Sequence, residues 1–483
     1  MSDSALTKGL KNIKYSFIAQ SVILIIGVLK TLIVPSVLTV DSYAYWQMYL
    51  FYISYIGFFY LGFNDGILLK YGKYNYADLP FEKMRRSMHF YLIMLALFTG
   101  VAMLYALSIS DPQKMFVTVM VAASIIMYGL NGVFIYIFLI TNQIRRHSFF
   151  SAVDSVSNFI GILLLLLLKQ NDFHLLVYFV FITKLISVIA MTILCRKTLF
   201  GKACPVKEGF LEFLDNIKAG IFLMLAQIMS MLVTGLGRIF IEYSGELKNY
   251  AYYSFGMTVL NIVMVGVTAI ATVMYPTLGR VQKELLPKVF NKIFDYFSHF
   301  NVFVVLLYFP AYILVGILFP KYSPMLTYFS IMFVTMTWQS KVNITTNCYF
   351  RVLRMERKML KINALSVVCF CIVYFILRFT VGNFVSSPIT IVALSTCLSM
   401  VFLELMAELT LRKALQLKMG THSIKDAVIN VIFLAVSLIS NKYLGFAVYF
   451  VVAATYAVIK RKALKSDIQK VLKVFFKNKK ENA

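Results

Sequence analysis

Residues 174–195 read HLLVYFVFITKLISVIAMTILC. A single full charge, Lys184, interrupts an otherwise apolar run that stops at Arg196 and Lys197. A helix rises about 1.5 Å per residue, so about 20 mostly apolar residues cross the hydrocarbon of a bilayer. The run has that length and lacks the period-2 alternation of a barrel strand. In lipid its backbone groups can be satisfied only within a helix. It predicts a membrane-spanning helix.

The same reading extends in both directions. It yields about fourteen candidate spans, near 15–38, 43–68, 87–109, 115–140, 149–168, 174–195, 217–240, 250–275, 297–319, 324–346, 362–380, 387–410, 426–441 and 443–460. Only Asn441 and Lys442 separate the last two. Composition points the same way. Of 483 residues, 60% are hydrophobic and 14% charged, against about 25% charged in a soluble domain. Length alone would suggest about three globular domains, but no polar domain interrupts the apolar runs. The expectation is an all-α polytopic membrane protein. The N-terminal MSDSALTKGLKN precedes no secretory cleavage site, so the first span is expected to be an uncleaved anchor.

The net charge of +26 is explained by where the charges lie. With the N-terminus in the cytoplasm, alternate loops carry Lys70, Lys73, Lys83, Arg85 and Arg86, then Arg145 and Arg146, then Arg196, Lys197, Lys202, Lys207 and Lys218. The series continues with Arg280, Lys283, Lys288 and Lys292, with Arg351, Arg354, Arg357, Lys358 and Lys361, and with Arg412, Lys413, Lys418 and Lys425. This is the positive-inside pattern. An even number of spans keeps both termini cytoplasmic and removes any need for nucleic acid as a partner. The tail KRKALKSDIQKVLKVFFKNKK is basic and amphipathic, as an anchor on anionic lipid would be.

The chain also repeats itself. At one constant offset Tyr43-Ala44-Tyr45-Trp46 meets Tyr250-Ala251-Tyr252-Tyr253, and Gly72-Lys73 meets Gly279-Arg280. Lys30 falls one residue from Arg238 in the same frame. The matched tetrapeptides open the second and eighth spans. That predicts two parallel six-helix lobes around a central cavity, with two helices appended, and such repeats place a substrate between them. The expected division is 1–198 for the first lobe, 199–415 for the second, 416–460 for the last two helices and 461–483 for the basic tail.

Catalytic signatures are missing. There is no G-x-x-x-x-G-K-[ST] loop, no H-E-x-x-H and no G-x-S-x-G, and the five histidines have no metal-ligand spacing. Six cysteines form no C-x-x-C pair. Neither an enzyme, a cofactor nor a metal is expected. What stands out instead is ionisable side chains within apolar helices, costly in lipid and functional by default. Lys30, Lys184, Arg238 and Lys341 are the basic ones, and facing a cavity they would hold an anionic, phosphate-bearing ligand. Asp65, Asp154, Glu404 and Glu408 would compensate that charge or take up a coupling proton or sodium ion. Asn343 and Asn347 would line the cavity.

All but Lys184 and Lys341, whose long apolar flanks make them the hardest to explain away, also have a plainer role. Lys30 and Arg238 would snorkel to headgroups. Asp65 would sit in the interface, and Asp154 would tie to Arg145 or Arg146. Glu404 and Glu408, one turn apart on one face, would meet water or basic loops. Asn343 and Asn347 would join helices by hydrogen bonds.

A basic residue late in the first span (Lys30), the outer turn VDSYAYWQMY, the stretch FYLGFNDGILLKYGKY and the two six-helix halves carry a resemblance over most of the chain. It resembles the bacterial polysaccharide flippases of O-antigen and capsular repeat units, within the multidrug/oligosaccharidyl-lipid/polysaccharide exporter superfamily. The resemblance implies a multi-pass protein of the bacterial cytoplasmic membrane. It would move a lipid-diphosphate-linked oligosaccharide, commonly undecaprenyl-linked, from the inner to the outer leaflet beside a glycan polymerase or assembly complex, and it would carry basic residues in its cavity. A drug or metabolite exporter of the same superfamily is the first rival. A membrane polysaccharide polymerase is the second, and the short outer connections count against it. A non-transporting scaffold is the third.

Overall fold

A computed structural model describes residues 3–72, 74–279, 281–380, 382, 387–418, 420 and 422–461. Lys73 and Arg280 of the repeat, and the basic tail beyond Arg461, lie outside the described residues. Helix accounts for almost everything described, and there is no strand among the described residues. Seventeen α-helical stretches occur, of which three consecutive pairs are the halves of one interrupted rod, leaving fourteen rods.

In chain order these are α1 (Asp3–Val37), α2a (Val40–Ser54) with α2b (Phe63–Tyr71), α3 (Phe81–Leu107), α4 (Pro112–Ile140), α5 (Ile144–Leu167), α6 (His174–Leu194) and α7 (Val206–Tyr243). There follow α8 (Leu247–Gly279), α9a (Leu286–Val304) with α9b (Tyr308–Leu318), α10a (Phe329–Lys341) with α10b (Asn347–Val352), α11 (Glu356–Thr380), α12 (Pro388–Ala414), α13 (His422–Ser437) and α14 (Lys442–Ile459). Among the described residues, eleven helices are long and apolar enough to cross a membrane unaided. The remaining rods are α2 and α10, which are interrupted, and α13, which is 16 residues long. Large apolar side chains such as Leu97, Leu104, Ile193 and Leu438 are exposed. A soluble protein rarely exposes contiguous apolar surface on that scale, whereas lipid is its natural solvent.

Local chemistry sets the boundaries. Thr39 caps α2a by accepting a hydrogen bond from the Ser42 amide at 3.1 Å. Asp111 caps α4 through the amides of Gln113 and Lys114, with Pro112 at the first helical position. Its other oxygen accepts from the Tyr45 hydroxyl at 2.6 Å, tying α2a to α4. The narrow break between the last two rods is real: Asn441 turns extended and accepts from the amides of Tyr443 and Leu444. Replacing Asn441 by Ala should cost about 1 kcal/mol. The loss is measurable as a lower temperature for labelling of the buried thiols Cys195, Cys348 and Cys397 by a fluorogenic maleimide.

The chain forms two compact units. The first holds residues 1–232 and 245–254, the second 233–244 and 255–483. In the first, α1 packs along α5, α3 along α4, and α5 along α6. The loop after α6 is stapled to the start of α3. Arg85 donates to the carbonyls of Lys197 and Lys202, Arg86 to that of Cys204, and the Cys204 amide to Glu82. Basic residues of two loops thus gather at one end of that unit. In the second, α11 packs on α12, α10a on α12, and α13 on α9a and α14. The two repeat tetrapeptides open α2a and α8 with the same burial: Tyr43, Ala44, Tyr250 and Ala251 are all enclosed.

Candidate functional site

Charge is drawn into the helices at one centre in each unit. In the first unit the centre is built on α5 and α6. Lys184, midway along α6, is 5% exposed. Its Nζ reaches Asp154 Oδ2 on α5 at 2.5 Å and lies 4.5 Å from the ring of Tyr128 on α4. Asp154 keeps a third of its side-chain surface exposed, so the pair opens on one side. Lys30 sits half-buried on α1, the helix that packs along α5. The partner of Asp154 is Lys184 on the adjacent helix α6.

Asp65 belongs to a different part of the first unit. It opens α2b and accepts from the Tyr136 hydroxyl on α4 at 3.2 Å. Nearby, Glu212 on α7 binds Lys70 at 2.7 Å, Asn216 at 3.3 Å and the hydroxyl of Tyr71. Asp65 is not brought to the Lys184 pair.

In the second unit the centre is Lys341, at the end of α10a. The π-turn Val342–Thr346 follows it, a feature that often marks functional positions. Lys341 has no exposed surface. Its Nζ lies 2.9 Å from Asp426 Oδ2, 3.5 Å from Glu404 Oε1 and 3.7 Å from Glu408 Oε2, and it donates to Ser423 Oγ at 2.8 Å. The rings of Phe294 and Trp338 stand 4.8 and 5.5 Å away. Glu408 also receives the Ser423 hydroxyl and holds Arg412 Nε at 2.7 Å. Arg412 reaches on to Asn291 and to the Lys418 carbonyl. At the rim, His422 Nδ1 faces Asp295 at 3.2 Å.

Two cations and three carboxylates are thereby buried together, and if all are ionised one negative charge is unmatched. Glu404 is 0% exposed, and among the described residues neither of its oxygens accepts a hydrogen bond. An uncompensated buried charge is expensive, so this group favours one additional proton or cation.

The remaining candidates stand apart from both centres. Asn347 donates to Asn343 at 3.2 Å, so the two asparagines bind each other across the π-turn. Arg238 is half-buried on α7, in the stretch belonging to the second unit, and the contacts of the Lys341 group do not include it. Sequence reading missed Asp426, Arg412 and Ser423. The spacing held a signal for one of them, since Glu404, Glu408 and Arg412 recur every fourth residue and so share a helix face.

No known family profile matches the sequence, and no curated protein is similar to it in sequence. Solved structures are similar to it in fold. Lipid II flippase MurJ in an inward closed conformation aligns over 94% of this chain and 100% of its own, with TM-score 0.57 and 13% identity. A multidrug resistance MATE family transporter of the MOP superfamily, inward-facing, aligns over 83% of this chain and 99% of its own, with TM-score 0.59 and 11% identity. An outward-facing structure described in the same words aligns over 84% and 96%, with TM-score 0.57 and 13% identity. The fold of this chain is therefore similar to that of these transporters.

Proposed function

We propose that this chain flips a lipid-diphosphate-linked oligosaccharide, such as an undecaprenyl-linked repeat unit, from the cytoplasmic to the outer leaflet for cell-surface polysaccharide assembly. The observation that carries the reading is the buried Lys184 paired with the part-exposed Asp154 on α5, with a second lysine, Lys30, on the helix that packs along α5. A diphosphate is the ligand such a centre fits. One solved structure of this fold is described as a lipid II flippase. A glycan head crossing hydrocarbon unaided would lose its hydrogen bonds with water. A polar path between helices removes most of that penalty and needs no covalent step. The Lys341 group, its cation already matched by carboxylates, serves as the coupling element: it gains and loses the proton or sodium ion that its charge surplus calls for. In the cell the chain would sit in the cytoplasmic membrane with both termini inside, beside the polymerase that takes its product.

The test is a leaflet assay in proteoliposomes holding a fluorescent lipid-diphosphate-linked glycan on one face. Lys30→Ala and Lys184→Ala, at matched reconstitution, should each lower the flipping rate at least about tenfold, the cost of one lost charge-assisted hydrogen bond. Glu404→Gln should leave flipping insensitive to an imposed pH or sodium gradient. Wild-type protein that leaves the labelled lipid where it started, yet moves small organic cations, would replace this reading with that of a drug exporter. A host lacking the gene that exposes unpolymerised units on the outer leaflet would point to the polymerase reading.

A further inference from the structure

The second unit has a cavity that neither charged centre uses. It is an open recess of about 470 Å³ between the last turns of α7 and α11 and the start of α12, lined by Phe240, Tyr243, Ser244, Tyr374, Arg378 and Pro388. Its floor is fixed by aromatic packing. Phe240 stands edge-on to Tyr374 at 4.5 Å and to Phe370 at 5.2 Å. Above the floor the polar groups are uncommitted. Among the described residues Arg378 has no ion pair, and neither the Tyr243 nor the Tyr374 hydroxyl has a partner. Tyr243 is 83% exposed and, among the described residues, has no ring packed on it. The polypeptide between Tyr243 and Leu247 and that between Arg378 and Pro388 carry no Lys or Arg. The positive-inside rule assigns such connections to the outer face.

An aromatic platform beside a free guanidinium has a definite ligand chemistry. Pyranose rings present a face of C–H bonds that lies on an aromatic ring, while their hydroxyls bond the rim. Arg binds a carboxylate or phosphate through two parallel N–H bonds. The volume is that of an ordinary small-ligand site. We propose that this cavity is a saccharide subsite on the outer face. It takes an acidic sugar residue of the translocated glycan, with the ring stacked on Tyr243 and Tyr374 and the anionic group on Arg378. The proposal rests on the flippase reading for its ligand. It gives the released head a holding point outside the membrane that the basic path of Lys30 and Lys184 does not provide.

The test is binding without transport, using the full chain in phosphatidylcholine nanodiscs. The probes are a glucuronic-acid-containing disaccharide and the same disaccharide with its carboxyl reduced to an alcohol, both titrated by saturation-transfer NMR, and inorganic phosphate, titrated by competition against the acidic disaccharide. The acidic disaccharide should bind at least about tenfold tighter than the neutral one, as expected for one charge-assisted contact. Arg378→Gln should erase that difference. Tyr243→Leu, at an exposed position that folding does not need, should weaken both sugars and leave phosphate alone. Lys30→Ala should change none of these values. If neither sugar saturates, or if Arg378→Gln and Tyr243→Leu bind as wild type does, the subsite is refuted. Complete displacement of the sugar by added phosphatidylglycerol, through Arg378, would overturn it in favour of a lipid headgroup site. A chain that fails the leaflet assay but keeps Arg378-dependent sugar binding loses the flippase reading and keeps this site. A chain that flips its lipid and shows no such binding loses this site alone.

Discussion

Lys341→Met should destabilise the second unit by about 3–5 kcal/mol, the cost of breaking a buried ion group by removing one partner. The reason lies in the charge count. With the lysine present, two cations face Glu404, Glu408 and Asp426. Without it Arg412 alone remains, and Arg412 is committed to Glu408, Asn291 and the Lys418 carbonyl. Glu404 and Asp426 would then have to take up protons or pull the helices apart. Methionine nearly matches the lysine in length and would keep the packing against Phe294 and Trp338, so the loss reports charge and not volume.

The companion variant carries the sign of the argument. Glu404→Gln removes the unmatched negative charge and should cost less than about 1 kcal/mol, because two carboxylates and two cations remain and no buried charge is left uncompensated. Combined with Lys341→Met it should restore at least half of the stability lost. Such coupling is expected of residues in one network and not of distant ones. The measurement is thermal unfolding followed by maleimide labelling of the buried thiols, which in this unit are Cys348 and Cys397. Equal losses for Lys341→Met with and without Glu404→Gln would show that the two charges do not sense each other.

The two parts of this molecule were legible in the sequence to different degrees. The fourteen rods could be read because hydropathy is a local property that accumulates along each segment. Even the break at Asn441 had its cap residue in plain view. The interruptions were harder to read. The span at 43–68 looks continuous, yet it bends at Leu61 and Gly62, both in left-handed conformation. The π-turn after Lys341 has no signature of its own. At the buried centres, residue type was legible and partnership was not. Lys184 and Asp154 were each conspicuous, but their pairing depends on how α5 and α6 face one another, which no spacing within either helix determines. Asp426 opens a predicted span and Arg412 reads as one more loop charge, so both were hidden by their place near a boundary. Glu404 and Glu408 were visible as one face, and the structure adds the cation they address.

Gly66→Ala should be the most damaging single methyl in the first unit, costing about 3 kcal/mol or more, at the upper end of what overpacking does. The stretch Gly62-Phe63-Asn64-Asp65-Gly66 opens α2b, and its two glycines bring that helix backbone-to-backbone with α7. A Cβ built on Gly66 would sit 1.9 Å from the Asn216 carbonyl oxygen, and one on Gly220 would meet the Gly62 carbonyl at 2.0 Å. Small residues at this spacing let membrane helices approach where larger ones cannot. What lies in the way is main chain, which cannot rotate aside as a side chain would. The contrast is Gly100, whose surroundings are empty within 4 Å. There the same substitution should be silent or slightly favourable, since Ala suits a helix better than Gly. The effect of Gly66→Ala should also spread along the crossing. Parting α2b from α7 pulls Lys70 and Tyr71 away from Glu212 and loosens the end of the unit where the basic loops gather. The readout is the midpoint of maleimide labelling at Cys195 and Cys204, which are buried in this unit, compared across wild type, Gly66→Ala and Gly100→Ala. If Gly66→Ala unfolds at the wild-type temperature, the two backbones do not touch, and the Gly62–Gly66 crossing is not what holds the broken second rod in place.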